Sequence, residues 1–326
     1  MKKILIITYY WPPKGGVGVQ RWLKLTKYLC KKNYKPTIYT ADDSVKMLKD
    51  SNLKDNIPVG LQVLKRKIFE PQKIIKFFTR KSISSDLLVN KKPGFFNKIL
   101  IWLRANFFVP DSRCFWIKSS IHFLNHYLQE NPVDIVISTG PPHSMHMIAL
   151  GLKKRHDFKW IADFRDPWTD IEYFDNLPLL NSIVKKHKQL ESQVLNSADL
   201  VLSVSPSWDN LFRNLGAQKT MVLTNGYDTD DYGDSFKKEI LTEFKIGYFG
   251  LYNESRDHSF FWETIYKLSN DQSQFYEDVK FLFSGEVYAG FLEKLQSFKL
   301  DHKLEYYNYL THQESIKNMM QCDLLL

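Results

Sequence analysis

The sequence predicts an α/β protein made of two Rossmann-like domains with parallel sheets, the second of them incomplete. Short runs of β-branched and aliphatic residues alternate with amphipathic helical patterns along most of the chain. Glycine- or proline-rich turns separate these runs, as is typical of parallel strands connected through helices. The length of 326 residues, with 44% hydrophobic and 25% charged residues, suits about two globular domains.

The first domain is expected over residues 1–228. It opens with a strand over 3–8, a glycine turn, a helix over 20–32 and a strand over 36–40, which together form a βαβ unit. The alternation resumes after a basic segment. Further strands are predicted over 134–139, 159–164, 199–204 and 221–224, with helices starting near 143 and covering 183–195 and 206–215.

The second domain is expected over residues 244–326, after a polar and acidic linker over 229–243. Its predicted strands cover 244–249, 279–283, 303–306 and 322–326, and its predicted helices cover 260–268, 290–298 and 315–321. The last strand ends on Leu324, Leu325 and Leu326, and a strand of this kind needs covering helices and further strands. We therefore expect a partial domain.

A basic segment over residues 65–118 accounts for the whole net charge of +9. It holds thirteen basic residues against three acidic ones, together with many large apolar residues. A helical insertion that lies on an anionic membrane would have this composition. The alternatives are a solvated insertion packed partly on the domain and, because no nucleic-acid motif is present, less favourably a nucleic-acid surface. The residues expected to face the membrane are Lys91, Lys92, Lys98, Trp102 and Arg104.

The compartment is inferred from the cysteines and the apolar segments. The three cysteines are too few and too scattered for a disulfide framework or a zinc site, which favours buried free thiols in a reducing compartment. No run is apolar over the ~20 residues needed to span a bilayer. The apolar stretch after Lys3 is too short for a signal peptide. We expect a cytoplasmic protein that lies at the inner face of the plasma membrane.

A glycine-rich turn, Lys14-Gly15-Gly16-Val17-Gly18, connects the first strand to the first helix. Glycines let backbone amides approach an oxyanion, and a helix N-terminus favours negative charge, so the turn suits a phosphate or pyrophosphate. A tight turn that needs a positive φ is the alternative. The nicotinamide fingerprint fits poorly, because Arg21 stands where a third glycine is expected.

Two polar motifs follow strands of the first domain. Ser138-Thr139-Gly140-Pro141-Pro142-His143-Ser144 ends one strand, and Asp163-Phe164-Arg165-Asp166-Pro167-Trp168 ends the next. Open α/β sheets bind ligands at this end. For the first motif the alternative is a capping turn with an exposed histidine. For the second it is a local ion pair that fixes the following turn.

These motifs, in this order, resemble those of glycosyltransferase family 4. The resemblance rests on the run from Tyr9 to Trp22, on the two polar motifs, and on Thr224-Asn225-Gly226-Tyr227-Asp228 before the linker. It covers nearly the whole chain and implies a GT-B fold and a retaining, nucleotide-sugar-dependent enzyme. It also implies a lipid-linked or surface-polysaccharide acceptor, and no cofactor beyond the nucleotide-sugar substrate.

The resemblance also implies site residues. His143 and Asp166 would be catalytic. Gly15, Gly16 and Arg256 would bind the donor diphosphate, although the basic partner that the family places near Arg256 is not evident. The other positions implied are Arg21, Asp163 and Arg165 on the acceptor side, and Gly285 and His312 near the nucleotide base.

We expect Gly15, Gly16, His143, Asp166 and Arg256 to border one cleft between the two sheets, because each follows a strand. We expect no metal in the chemistry, because the acidic residues lack the spacing of a magnesium–nucleotide site. The chain stops before the paired glutamates and the crossing helix of the family. A truncated, non-catalytic remnant that binds only acceptor or membrane is therefore the alternative function.

Overall fold

The computed structural model describes residues 1–42, 51–68, 95–171, 174–233 and 243–326. The described chain divides into two compact units, one ending at residue 226 and the other starting at residue 227. Each unit has its own parallel sheet and its own hydrophobic core.

The first unit is built on a seven-stranded parallel sheet with the strand order β3-β2-β1-β4-β5-β6-β7. The strands are β1 (Lys3–Ile7), β2 (Lys35–Ala41), β3 (Gln62–Arg66), β4 (Ile135–Gly140), β5 (Lys159–Phe164), β6 (Leu200–Ser203) and β7 (Thr220–Val222). The helices are α1 (Val17–Lys31), α2 (Phe95–Phe107), α3 (Cys114–Glu130), α4 (Ser144–Lys153), α5 (Asn181–Ser197) and α6 (Pro206–Asn214). The strand order reverses between β1 and β4, and ligands bind beyond the carboxyl ends of strands at such a point.

The central strand β1 packs against hydrophobic residues on both of its faces. Ile4 and Ile6 belong to one cluster with Trp22 of α1, whereas Leu5 and Ile7 belong to another that includes residues of α3 and α4. Successive side chains of a strand point to opposite faces, so a strand covered on both sides reads as one continuous apolar run. This explains the run Ile4-Leu5-Ile6-Ile7 in the sequence.

The basic insertion predicted over 65–118 overlaps the end of β3 and the start of α3, and the structure corrects these bounds. Lys65 and Arg66 lie in β3, which pairs with β2, and Lys118 lies in α3. The predicted insertion is therefore limited to residues between these two elements. Both elements have weak patterns: β3 is a short edge strand with three polar residues, and the buried face of α3 includes Ser120, whose Oγ accepts a hydrogen bond from Tyr39 at 2.8 Å.

The second unit has a four-stranded parallel sheet with the order β10-β9-β8-β11. Its strands are β8 (Phe244–Phe249), β9 (Val279–Ser284), β10 (Leu304–Tyr307) and β11 (Leu324–Leu325), and its helices are α7 (Ser259–Asp271), α8 (Ser273–Asp278), α9 (Phe291–Ser297) and α10 (His312–Met319). Helix α10 begins three residues earlier than predicted. Thr311 and Glu314 form a capping box at its start, with each side chain bonded to the backbone of the other residue.

Within the described residues, no helix has the length and apolar character needed to cross a bilayer.

Candidate functional site

The centre of the first unit's site is a buried carboxylate, that of Asp163 near the end of β5. The residue is fully buried. Its Oδ1 accepts a hydrogen bond from Arg21 Nη2 at 2.9 Å, and its Oδ2 accepts from Trp22 Nε1 at 2.7 Å and from Thr139 Oγ1 at 2.8 Å. The three donors lie on α1 and at the end of β4. One carboxylate therefore connects the first helix to two neighbouring strands of the sheet.

The guanidinium of Arg21 uses its five N–H groups within the chain. Nε and Nη2 reach Asp163, Nη2 also reaches the carbonyl of Leu223 at 3.0 Å, and Nη1 donates to the Thr224 carbonyl at 3.2 Å and to Asn225 Oδ1 at 3.1 Å. These contacts attach the segment that follows β7 to the glycine-turn helix. The structure thus brings together the four motifs that the sequence analysis identified separately.

This arrangement revises the acceptor-side role predicted for Arg21 and Asp163. The two side chains form an ion pair that is only 4% and 0% exposed, and their hydrogen-bonding groups are occupied. A buried charged pair of this kind has no free group to offer to an acceptor. We therefore assign both residues to holding the motifs in place.

Arg165 lies one residue beyond β5, and its positively charged guanidinium lies next to the start of α1. Its backbone N–H donates to the Gly140 carbonyl at 3.0 Å, and its Nη2 donates to the Pro141 carbonyl. The guanidinium carbon lies 5.4 Å from the centre of the Tyr10 ring, and a β carbon on Gly18 would lie 2.7 Å from Nη1. Nη1 has no hydrogen-bond partner in the described chain. Burial lowers the pKa of Arg165, whereas Asp163 and Asp166 act to raise it.

The glycine turn presents Gly16 at the surface, where it forms the N-cap of α1 with φ 96°. Open space surrounds the position of a β carbon on Gly16, so the positive φ is what requires a glycine there. Gly15 is partly buried. Lys14, in contrast, is buried, and its Nζ donates to the Tyr9 carbonyl at 2.9 Å and lies over the Tyr9 ring. The lysine therefore supports the turn from inside.

His143 forms the N-cap of α4 and is 7% exposed. Its ring stacks on Trp168, with the ring centres 4.6 Å apart and an interplanar angle of 3°. Burial lowers the pKa of His143 well below its usual value, and the nearby His146, Arg165 and His187 lower it further. His143 is consequently neutral at physiological pH. Its accessible nitrogen is Nε2, since Nδ1 is buried without a partner.

Asp166 follows Arg165 and is partly exposed. Its carboxylate accepts no hydrogen bond from any described residue. Burial raises the pKa of Asp166, and the charge of Arg165 acts in the opposite direction. Among the residues predicted for the site, Asp166 is therefore the carboxylate that is free to bind a ligand or to accept a proton.

Two acidic residues that the sequence analysis did not identify hold these loops. Asp111 accepts hydrogen bonds from Ser144 N at 2.8 Å and Ser144 Oγ at 2.9 Å, so it caps α4 beside His143. Glu191 of α5 accepts from Trp168 N at 3.1 Å and from Thr169 Oγ1 at 2.5 Å. Neither residue belongs to a local sequence motif, so only the fold reveals its partner.

A cavity of 460 Å³ lies beside this site, between the loop after Trp168 and helices α5 and α6. None of the predicted site residues lines it. Its lining residues are Thr169, Asp170, Phe174, Asp175, Leu177, Leu179, Val184, Lys188, Glu191, Ser192, Leu211 and Leu215. The Asp166 carboxylate and the His143 imidazole lie outside its lining.

In the second unit, Arg256 lies in a 3₁₀ turn after β8. Its Nη1 donates to Tyr248 Oη at 3.0 Å and to the Leu251 carbonyl at 3.2 Å. The adjacent Asp257 accepts hydrogen bonds from Tyr252, Trp262, Tyr288 and Lys294. Burial acts to raise the pKa of Asp257, but these hydrogen bonds outweigh it and lower the pKa. The turn that carries Arg256 is thus firmly anchored.

Gly285 and His312, both predicted near a nucleotide base, have structural partners. A β carbon on Gly285 would lie 2.1 Å from the Gly250 carbonyl oxygen, and its φ is 119°. Only glycine therefore allows the loops after β8 and β9 to approach this closely. His312 Nε2 lies 2.9 Å from Asp231 Oδ2. A contact of either residue with a base stays a prediction.

The residues predicted to face a membrane are only partly described. Lys91 and Lys92 lie outside the described residues. Lys98, Trp102 and Arg104 lie on α2, where Lys98 and Trp102 are exposed. Arg104 is partly buried, and burial lowers its pKa. Over the described ranges, no group of three or more metal-ligating side chains comes together.

Two parallel sheets of Rossmann type, with polar groups collected at the carboxyl ends of the strands, define the chain as an α/β protein of GT-B fold. The comparisons identify the family. The model of Glycosyltransferase Family 4 matches residues 15–231, about two thirds of the chain, and the chain belongs to this family. A search among curated proteins found no match.

Solved structures share the fold at low sequence identity. S. aureus TarM aligns with a TM-score of 0.60 and 12% identity over 100% of this chain and 80% of that one. Sucrose-phosphate synthase from Thermosynechococcus elongatus aligns with a TM-score of 0.57 and 10% identity, covering 100% of this chain and 75% of that one. A putative UDP-N-acetylglucosamine 2-epimerase from Listeria monocytogenes aligns with a TM-score of 0.53 and 10% identity, covering 99% and 73%. At these identities the likeness shows the fold alone.

Proposed function

We propose that the protein transfers a sugar from a nucleotide-sugar donor to a lipid-linked or surface-polysaccharide acceptor, with retention of configuration. The observation that carries the proposal is the collection of a free carboxylate and a neutral imidazole around a cation that lies beside the glycine turn of α1. The groups are those of Asp166, His143 and Arg165. The retaining course is the one that the family implies.

The roles we propose follow from the exposed chemistry of each group. Asp166 accepts a hydrogen bond from the acceptor hydroxyl, and His143 contacts a sugar through its accessible nitrogen. Backbone amides at Gly15 and Gly16 stabilise the departing diphosphate. UDP and a sugar compound are both present in a structure of S. aureus TarM, and UDP is present in one of S. aureus MnaA, which supports a nucleotide-sugar as the donor.

A donor screen by thermal shift tests the proposal directly. We expect one nucleotide among UDP-, GDP- and ADP-sugars to raise the melting temperature, since a ligand at 100 times its Kd stabilises the folded state by about 2.7 kcal/mol. We expect the shift to survive excess EDTA. Incubation of that donor with glycan or lipid-linked acceptors, followed by NMR of the anomeric linkage, then tests transfer and retention.

The outcomes separate the two candidate functions. A product with the donor's anomeric configuration supports the proposal, and an inverted product contradicts the retaining course. Acceptor binding without any nucleotide-dependent shift would instead favour a non-catalytic acceptor-binding protein. Loss of the donor shift in EDTA, restored by Mn²⁺ or Mg²⁺, would contradict the metal-free proposal.

We also propose that α2 places the first unit on an anionic membrane. The C-terminal half of α2 and its surroundings expose Trp102, Phe107, Phe115 and Leu180, with Phe107 68% exposed. Asn106 of α2 holds the Leu180 segment through bonds to Leu180 N and the Pro178 carbonyl, at 2.8 and 2.9 Å. Apolar residues that are fixed in position and accompanied by basic residues suit the boundary between lipid headgroups and acyl chains.

Vesicle sedimentation tests this surface. Replacing Trp102 and Phe107 with serine removes the two aromatic rings, which are in edge contact, and we expect vesicle affinity to fall at least tenfold, because each buried aromatic contributes roughly 1.5–3 kcal/mol. Phe260→Ser is the control, as Phe260 is 78% exposed but lies on α7 of the second unit. Binding that is equal on neutral and anionic vesicles, or unaffected by the double substitution, would leave α2 as a solvated insertion.

A further inference from the structure

A chain of buried hydrogen bonds leads from the core of the first unit toward His143. Trp160 Nε1 lies 2.9 Å from Ser138 Oγ, and Ser138 Oγ lies 2.8 Å from His146 Nδ1. All three residues are fully buried. The tryptophan nitrogen can only donate, so the serine oxygen accepts from it and keeps its own proton to donate onward.

The serine hydroxyl bears on the tautomer of His146. Among the described residues, His146 Nδ1 is the acceptor within reach of the Ser138 proton, and in the tautomer that accepts this proton the neutral ring carries its own proton on Nε2. Burial lowers the pKa of His146 to about 3, with a smaller effect from Arg165, so the ring stays neutral. The face of the ring stacks on Phe164, with the centres 4.4 Å apart. In this tautomer the Nε2–H of His146 is a buried donor in a fixed ring.

The partner that this donor lacks is close to it. His146 Nε2 and His143 Nδ1 are both buried and have no hydrogen-bond partner among the described residues. They lie 2.6 and 3.1 Å from the single point that a β carbon on Gly140 would occupy. The two nitrogens are therefore at most about 6 Å apart without a direct hydrogen bond, and one bridging water spans a separation of this size.

We propose that Ser138 and His146 are positioning residues that fix the tautomer of His143. In this arrangement His146 Nε2–H donates to one buried water, the water donates to His143 Nδ1, and His143 carries its own proton on the accessible Nε2. The proposal rests on the site proposed above, because it assigns the chemical role of His143 within it. His143 then donates a hydrogen bond to the bound sugar and does not act as the base.

Gly140 leaves the space between the two imidazoles open because it has no side chain. An alanine methyl group at this position would lie 2.6 Å from His146 Nε2, closer than heavy atoms approach. The packing of His146 against Phe164 limits its retreat. A glycine at the end of β4 is therefore required for the two imidazoles to face one another.

The test is ¹⁵N NMR of the histidine rings in the whole protein, with the His143 signals assigned by their loss in His143→Asn. The protonated and unprotonated ring nitrogens have widely separated shifts, so the tautomer ratio is measured without donor or acceptor. We expect His143 to favour Nε2–H by more than about tenfold, which corresponds to about 1.4 kcal/mol and the size of one hydrogen bond.

Two variants interrupt the relay, the hydrogen-bond chain from Ser138 through His146 to His143, at different points. His146→Phe keeps a ring against Phe164 but removes the donor, and we expect the His143 ratio to move toward equal populations. Ser138→Ala removes the group that orients His146, and Ser138→Thr restores a hydroxyl and should recover the ratio. Ser203→Ala is the control, since Ser203 is a fully buried strand serine whose hydroxyl contacts the Ser205 carbonyl and Asp209 rather than either histidine.

A wild-type His143 protonated mainly on Nδ1, or a ratio unchanged in both relay variants, would overturn the proposal. Where His146→Phe fails to fold, Ser138→Ala decides alone. The failure of the tautomer proposal is distinct from that of the proposed function. If the protein transfers sugar while His143 carries its proton on Nδ1, only the tautomer proposal is refuted. If His143 carries its proton on Nε2 but the protein binds no nucleotide-sugar, only the proposed sugar transfer is refuted.

Discussion

Replacing Arg21 with glutamine is expected to lower the free energy of unfolding of the first unit by about 3–5 kcal/mol. The substitution leaves the Asp163 carboxylate charged and fully buried, and removing one partner of a buried ion pair costs about this much. It also leaves carbonyl groups of the segment after β7 without their donor. At about 2–4 °C per kcal/mol for a unit of this size, the melting temperature should fall by roughly 10 °C.

The matched control is Lys159→Gln. Lys159 also pairs with an aspartate, Asp199, at 3.0 Å, but it is 77% exposed. Exposed pairs contribute little to stability, and Asp199 keeps Lys153 Nζ and Trp160 N as donors, so the control should lose far less than Arg21→Gln. Both variants are compared by denaturant unfolding, together with Asp163→Asn and the double variant Arg21→Gln/Asp163→Asn. Equal losses for Arg21 and Lys159, or strict additivity with Asp163, would contradict the central role of this ion pair.

The alternation of strands and helices was predictable because the sheets are parallel and covered on both faces. Strands such as β1 and β5 then appear as short apolar runs ended by glycine or polar motifs. The order of these runs gives the order of the elements along the chain. It does not show that β1 lies between β2 and β4, since strand order depends on long-range packing.

The position of the site was also predictable from the parallel sheets. Whether each of its residues binds a ligand or holds a neighbouring loop was not. All motifs follow strands, so they gather at one edge of each sheet. A polar residue at that edge is equally suited to a ligand and to a neighbouring loop. Arg21 reaches Asp163 and Asn225, which are distant in sequence, and nothing local to Arg21 reveals that all of its donors are used.

In the second unit, too, a contact between residues distant in sequence could not be predicted. The sequence analysis found no lysine near Arg256, and the structure places Lys294 Nζ 2.9 Å from Asp257 Oδ2 and 3.0 Å from Ser259 Oγ. This cation comes from α9, whose residues gave no reason to associate it with the turn after β8. Its charge is paired with Asp257. Sequence spacing therefore cannot predict a side chain, such as Lys294, that a later helix brings to the turn after β8.

Replacing Asp166 with asparagine is expected to lower kcat/KM for sugar transfer by about 100-fold or more. Under the proposed function the carboxylate accepts a hydrogen bond from the acceptor hydroxyl and orients it, and misplacing a reacting group by about 1 Å can cost roughly 100-fold in rate. Asparagine keeps the size of the side chain but lacks the charge that makes this hydrogen bond strong. Because Asp166 accepts no hydrogen bond from the described chain, its loss should leave the melting temperature nearly unchanged.

The pH dependence of transfer gives the sharper test. Burial raises the pKa of Asp166, so the active, ionised form is lost as the pH falls, and at a higher pH than for an ordinary aspartate. The wild-type profile of kcat/KM should therefore have an acidic limb that disappears in Asp166→Asn. Asp170→Asn, at an exposed position on the same loop, should keep both the rate and the limb. An acidic limb that persists in Asp166→Asn would assign the titration to another group and contradict the role proposed for Asp166.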